Sequence, residues 1–347
     1  MNEQQHQLPP VFQKNEILFG HDSTPGLIAF EVEGADKVKV FSRDGAATRT
    51  ENQPLVPFLL LEGGADLKGW KGEAKIETLS GKGAFNRLAL FPDLKQLDDG
   101  RSHLQKQTGK SSSATDAPYW YFSDPLHQFL LLSGKTHFLG MTFRDLKRMQ
   151  LDIETYCQAG FEFPNAARES DRITAIALSD STGWERLISG KEYGEAEMLG
   201  EMVKEIRQRD PDVIEGHNLF RFDLEYIEAR AKRHKVKLGV GRDGSSLAGH
   251  ASRMQIAERS ITYRKYEIFG RHIIDTWILA QHYDVATREL ESFGLKDIAR
   301  HFGVAGADRT YVPGNRTSWY FDHDPDTLFR YALDDVRETR AISDLLS

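Results

Sequence analysis

The sequence predicts an α/β architecture in two parts: a strand-rich region over residues 1–140, then strands and helices layered around a mixed sheet over 141–347. Three observations predict it. At about 150 residues per domain, 347 residues make room for about two domains. Residues 25–90 alternate short apolar runs (27–30, 38–41, 58–61) with Gly-rich breaks, the pattern of short strands. From Arg148 onward, strand-length runs alternate with helical periodicities, which calls for helices packed on a sheet.

The elements follow in order. Residues 100–118 are polar and rich in Ser, Thr and Gly, so they are expected to form an exposed loop. Residues 119–143 carry the chain into the second region. Strands are expected at 149–155, 173–178, 186–189, 212–215 and 268–274. Residues 195–209 place Leu199, Met202, Val203 and Ile206 on one helical stripe, and 222–234 do the same with Leu224, Ile227 and Ala231. Helices are also expected from Thr276 and over 295–302. The last begins at Asp324-Pro325, an N-cap followed by proline at the first helical position, and runs to the chain end.

Hydrophobic residues at 39% and charged ones at 28% exclude a disordered or fibrous chain. Cys157 is alone, so no intrachain disulfide can form, which fits a reducing compartment. The opening MNEQQHQLPP lacks the basic and then apolar stretch of a leader. The longest apolar runs, such as 58–61 and 129–132, are too short to cross a bilayer. The expectation is a soluble cytoplasmic protein with no membrane partner. Net charge is −7, yet residues 230–271 hold eleven Lys or Arg against three acids. That block is either a solvated face or a flexible arm gripping nucleic acid.

Three groups of residues carry chemistry. Strand alternation puts Asp152 and Glu154 on one face and Met149, Leu151 and Ile153 on the other. Two such carboxylates mark either a solvated strand edge or a site for Mg²⁺ or Mn²⁺. Asn218 to Asp223 spans a strand-to-helix turn, where Asn218 could simply cap and Asp223 serve as a first-turn acid. Tyr331 and Asp335, four apart on the last helix, share a side with Leu328, Ala332, Ile342 and Leu346, while Asp334 is expected to face water. A carboxylate on an apolar stripe needs a cation, either a metal or a salt-bridging side chain.

Taken in order, Asp152-Ile153-Glu154-Thr155, Asn218-x-x-x-Phe222-Asp223 and Tyr331-x-x-x-Asp335 resemble the three exonuclease motifs of family B DNA polymerases. Arg271–Thr276 and Gly294–Ala299 resemble the stretch between the second and third motifs. The likeness runs from about Arg148 to Asp344; residues 1–140 only occupy the place of that family's N-terminal domain. It implies a ribonuclease-H-like fold and a 3′→5′ exonuclease with four carboxylates, of the Tyr subclass, since Arg330 stands where the sister subclass has His.

The resemblance also implies roles. Asp152 would bridge two Mg²⁺ or Mn²⁺ ions. Glu154 and Asp335 would complete one site, and Asp223 would hold the other. Tyr331 would orient the attacking water. Asn218 would position the terminal nucleotide or the shell of the second metal, and Thr155 and Phe222 would contact the substrate. Arg259, Arg264 and Lys265 would guide the strand. The expected partner is a single-stranded DNA 3′ end or a primer–template, and the expected biology is proofreading in replication or repair. Asp275 reads as a supporting or structural acid, His217 as a strand residue, and Trp277, Phe220 and Phe222 as core before base-stacking residues. The chain ends twelve residues after Asp335 with no Asp-Thr-Asp or Ser-Leu-Tyr-Pro motif, so a polymerase domain is expected in cis in a longer parent. Two alternatives stand beside this reading: a free-standing exonuclease trimming RNA or DNA, and a non-catalytic nucleic-acid-binding module.

Overall fold

The computed structural model describes residues 17–45 and 47–347. The opening MNEQQHQLPP, read above as no leader, lies outside them. The chain divides into two compact units, Met1–Met141 and Thr142–Ser347.

The first unit holds a three-stranded antiparallel sheet of β1 (Leu27–Glu33), β2 (Lys37–Asp44) and β3 (Ala47–Pro54). A second sheet runs β5-β6-β4-β7, built from β4 (Phe58–Glu62), β5 (Lys75–Thr78), β6 (Phe85–Leu90) and, after helix α1 (Leu94–Thr108), β7 (Tyr119–Trp120). Helix α2 (Pro125–Ser133) follows. Helix α1 corrects one expectation, because residues 100–108 are its second half rather than loop. Asp93 caps it by accepting from the Gln96 N–H at 2.7 Å, and Gly109 closes it at φ 71°. Leu97, Gly100 and Leu104 form its buried stripe. Gly100 is required there, since a Cβ would lie 2.6 Å from the Phe91 ring.

The second unit is built on β8 (Arg148–Thr155), β9 (Ile173–Asp180), β10 (Glu185–Ser189), α3 (Glu195–Arg209), β11 (Val213–Gly216) and α4 (Asp223–His234). Then come β12 (Ala248–Ile256), β13 (Arg259–Glu267), β14 (His272–Asp275), α5 (Thr276–Thr287), α6 (Leu295–His301), α7 (Thr317–His323) and α8 (Pro325–Leu346). The sheet runs β10-β9-β8-β11-β14, antiparallel from β10 to β8 and parallel from β8 to β14. Met149, Leu151 and Ile153 share one core with the buried stripes of α3 and α4. On the other face α8 packs through Ala332 and Val336 against Ala177.

That second face of β8 is polar along its length. Glu215 lies fully buried beneath α8 and accepts from Arg148 Nη1 (3.1 Å), Gln150 Nε2 (2.6 Å) and Ser343 Oγ (2.9 Å). Arg148 also pairs with Asp344. Arg148, Gln150, Asp152 and Glu154 thus line one side of β8, and α8 covers it.

The basic block 230–271 is not a flexible arm. β12 and β13 pair without interruption from Ala248↔Glu267 to Ile256↔Arg259. Three of its cations are buried on acids elsewhere. Arg230 grips Glu195 at 2.6 Å, Arg242 pairs with Asp212 at 2.7 Å, and Arg271 pairs with Asp210 at 2.7 Å. No helix among the described residues is long and apolar enough to cross a membrane.

Candidate metal centre and nucleic-acid groove

The site forms where the parallel strands end, the usual ligand position of such sheets. β11 pairs with β8 only as far as Glu215↔Gln150 and stops at Gly216. The chain then turns through Asn218 at φ +61°, a left-handed conformation that Asn tolerates better than most residues. Asp275, at the end of β14, holds the turn. It accepts from the N–H groups of Asn218 (2.8 Å), Phe220 (3.1 Å) and Trp277 (3.0 Å). The turn delivers Asp223 to the first position of α4, where its Oδ1 accepts the Ile153 N–H at 3.1 Å.

Asp152 and Glu154 pair across β8 and β9 with Ala177 and Ala175, whose small side chains leave space above the strand. Into that space α8 sends Asp335. Ligand oxygens of Asp152, Glu154 and Asp335 lie within 4.8 Å of one another; Asp223 stands outside this trio. Tyr331, one turn before Asp335, is buried beside them.

Burial pushes the Asp152, Glu154 and Asp223 carboxyls well above the ordinary carboxylate range, and neighbouring carboxylates push them further. Asp335 is also raised by burial, but Lys296 and Arg309 oppose the shift. Lys296 Nζ donates to Asp335 Oδ2 at 3.3 Å, and Arg309 Nη2 holds Oδ1. The two cations also flank the Tyr331 ring, 4.4 Å and 5.0 Å from its centroid. Burial raises the Tyr331 hydroxyl, so it remains protonated and able to donate.

A carboxyl raised in the folded state keeps its proton to higher pH than in the unfolded chain. Its contribution to metal-free stability is therefore lost as pH climbs from the ordinary carboxylate range through the raised one. His217 acts in the opposite direction: burial lowers it from 6.5 to about 4, so its contribution is lost as pH falls through that interval. In chelator, the melting temperature should fall more steeply with pH, above the ordinary carboxylate range, for the parent than for Asp152→Asn. Each proton released accounts for about 1.4 kcal/mol per pH unit. His217 cancels in this difference. Parallel curves for the two proteins would mean that the carboxylates do not repel one another.

Three clustered carboxylates fit a hard divalent cation. Asn218 Oδ1, on the turn that leads to Asp223, is buried without a hydrogen-bond partner. The salt bridge anticipated as an alternative for Asp335 is present as well, supplied by Lys296 and Arg309. His217 is no free base, with Nδ1 2.9 Å from the Thr276 hydroxyl and Nε2 2.9 Å from the Phe293 carbonyl. Asp334 does not face water as expected. Its side chain is 15% exposed, accepts the Thr310 N–H at 2.9 Å and pairs with Arg337.

Thr155 is buried at the end of β8, its carbonyl accepting from Thr317. Phe222 is half-buried and shares an open cavity of about 420 Å³ with His217, Asn218, Arg221, Trp277 and Phe293. Phe220 is core. Of the basic residues singled out, Arg264 is held by Glu228 at 2.9 Å and Lys265 by Glu267 at 3.0 Å. Arg259 lies 5.5 Å from the Phe293 ring and lines a separate cavity with Gln281 and Arg288. Sequence reasoning passed over four residues here. Arg309 had only the general signal that Asp335 needs a cation; Lys296 lay within the Gly294–Ala299 resemblance but was given no role. Phe161 and Phe163, 52% and 71% exposed, line a third cavity that shares Arg221 and Phe222 with the first.

Residues 139–298 match the family described as DNA polymerase family B, exonuclease domain. That span ends before Tyr331 and Asp335, which the fold alone brings to the site. The chain is 27% identical over 205 residues to DNA polymerase 2 of Aeropyrum pernix, covering 58% of this chain and 23% of that protein. It is 34% identical over 119 residues to a DNA polymerase of Archaeoglobus fulgidus, covering 34% and 14%. Against the family B DNA polymerase structure from Pyrobaculum calidifontis the TM-score is 0.66 at 20% identity, covering 93% of this chain and 45% of that one. The fold is thus the ribonuclease-H-like one of such exonucleases. The chain spans less than a quarter of the length of these two curated relatives.

Proposed function

We propose that this chain, whose residues 139–298 match the exonuclease domain of DNA polymerase family B, removes nucleotides from the 3′ end of single-stranded or frayed DNA and proofreads for a polymerase domain in cis. The observation that carries this reading is the meeting of Asp152, Glu154 and Asp335 beside the buried Tyr331. Asp152, Glu154, Asp223 and Asp335 would hold two Mg²⁺ or Mn²⁺ ions. Such ions supply charge neutralisation to both the attacking and the leaving oxygen of a phosphodiester. The protonated Tyr331 hydroxyl positions the attacking water. Asn218 Oδ1 accepts from the terminal nucleotide or its water shell. Phe222, Trp277, Phe161 and Phe163 offer faces for stacking unpaired bases, a mode indifferent to sequence. An intact duplex cannot present bases this way, so frayed and mismatched ends are preferred.

The test is incubation with 5′-labelled DNA and RNA single strands in Mg²⁺ or Mn²⁺, with the products read as ladders. A descending DNA ladder with release of nucleoside monophosphates is expected. Preference for RNA would turn the reading to a trimming exonuclease, and binding without cleavage to a non-catalytic module. Shortening of a 3′-labelled strand from its 5′ end would overturn the polarity.

Two further outcomes follow from the geometry. Tyr331→Phe should keep metal affinity and lose about 10–100-fold in kcat, the scale of a positioning group. Arg259→Ala should weaken single-strand binding and reduce the salt slope by about one counterion. Arg264→Ala, already neutralised by Glu228, should change the slope less. Equal slopes for all three proteins would remove the hairpin from the binding surface.

A further inference from the structure

Arg309 sits in the segment between α6 and α7, far from any of the sequence motifs, with its side chain 2% exposed. Its guanidinium is held on several sides. Nη2 bonds Asp335 Oδ1, and Nε lies 2.8 Å from Glu338 Oε1 as an ion pair without hydrogen-bond alignment. Nη1 donates to the Thr310 carbonyl and lies 3.8 Å from Asp334. The group also lies 5.0 Å from the Tyr331 ring centroid. The backbone that carries it is pinned by Asp334, which accepts the Thr310 N–H.

Glu338 is the informative partner. It is buried one turn beyond Asp335 on α8 and is not among the clustered ligand oxygens. A buried carboxylate is costly unless a cation accompanies it, and Arg309 is the cation paired with it. Glu338 and Asp335, three apart, therefore bracket one rigid fork from the same helix.

We propose that Arg309 is a positioning residue: anchored by Glu338 and Asp334, it sets the Asp335 carboxylate and the Tyr331 ring in the orientation a divalent cation and a water require. This rests on the reading of Asp335 as a metal ligand. With its side chain 2% exposed, Arg309 is closed off from a bound strand. It works through Asp335 and Tyr331, as partners behind metal ligands commonly do.

The test uses the full chain with Arg309→Lys, Arg309→Met and Arg309→Met/Glu338→Gln. Three quantities are read: melting temperature in chelator, Mn²⁺ affinity by electron paramagnetic resonance, and kcat and KM on 5′-labelled oligo-dT. Arg309→Met alone strands Glu338 and should melt early. Adding Glu338→Gln removes the stranded charge and should recover most of the loss. In that recovered variant, Mn²⁺ should bind about 10-fold more weakly. Its kcat should fall about 10–100-fold with KM for the strand unchanged. Arg309→Lys, which keeps the charge without the fork, should recover folding but not kcat. Parent-like kcat and Mn²⁺ affinity in either folded variant would overturn the proposal by reducing Arg309 to a structural ion pair. Tighter Mn²⁺ binding would also overturn it, by showing that Arg309 competes with the ion. Should the parent itself cut nothing, the nuclease reading fails while the Mn²⁺ arm still judges Arg309.

Discussion

Asp152→Ala yields a protein with no measurable hydrolysis that melts higher than its parent in chelator. The two effects share a cause. Asp152 lies between Glu154 on its own strand and the Asp335 and Asp223 carboxylates, and burial and all three neighbours raise its proton affinity. Without metal its charge is a liability. Removing it relieves repulsion, and a gain of about 1 kcal/mol would move the melting temperature by roughly 2–4 °C. With metal, the same oxygen atoms have no replacement among the side chains around them. Calorimetry in chelator and a nuclease assay in Mn²⁺ test the two halves separately. Loss of activity accompanied by a lower melting point would make Asp152 a structural residue and weaken the metal reading.

Glu215→Ala should be among the most destabilising single changes in the second unit. Glu215 is fully buried, with Arg148, Gln150 and Ser343 all donating to it. Its removal leaves the Arg148 guanidinium, 3% exposed, with only the half-exposed Asp344 as counter-ion. Breaking a buried pair from one side costs about 3–5 kcal/mol, whereas replacing both partners by apolar groups of similar volume is often neutral. Urea denaturation of Glu215→Ala and of Arg148→Met/Glu215→Leu should therefore differ widely, with the double variant close to the parent. Equal destabilisation would show that the hydrogen bonds of Gln150 and Ser343, rather than the charge pair, hold α8 to the sheet.

Periodicity within one element was legible, and contact between distant elements was not. Alternation along β8 was enough to place Asp152 and Glu154 together, and the apolar stripe of α8 was enough to turn Asp335 inward. The same helical wheel misplaced Asp334. A wheel describes one helix and cannot register that the loop around Thr310 crosses its outer side. Arg309 was invisible for the same reason, since its partners lie 26 and 29 positions away. Helix α1 was hidden by composition: only Leu97, Gly100 and Leu104 are buried in a polar segment, although Asp93 and Gly109 were readable as its caps. The β12–β13 hairpin alternates too weakly to announce strands, being exposed on much of both faces.

The polar side of β8 has a consequence for how this site tolerates change in length. Ser343 meets the partner of Gln150 at one end, and Asp335 meets Glu154 at the other, so strand and helix run in opposite directions along a shared scale. Eight helical residues rise about 12 Å, and four strand residues about 13 Å. The two graduations coincide, which lets the buried end act as a zero mark for the reactive end. One residue inserted between Val336 and Ile342 would rotate Asp335 by about 100° relative to Ser343. The helix could then satisfy one mark or the other, but not both. Point substitutions on α8 away from Asp335 thus have graded effects, whereas a single insertion between the two marks displaces one of them outright.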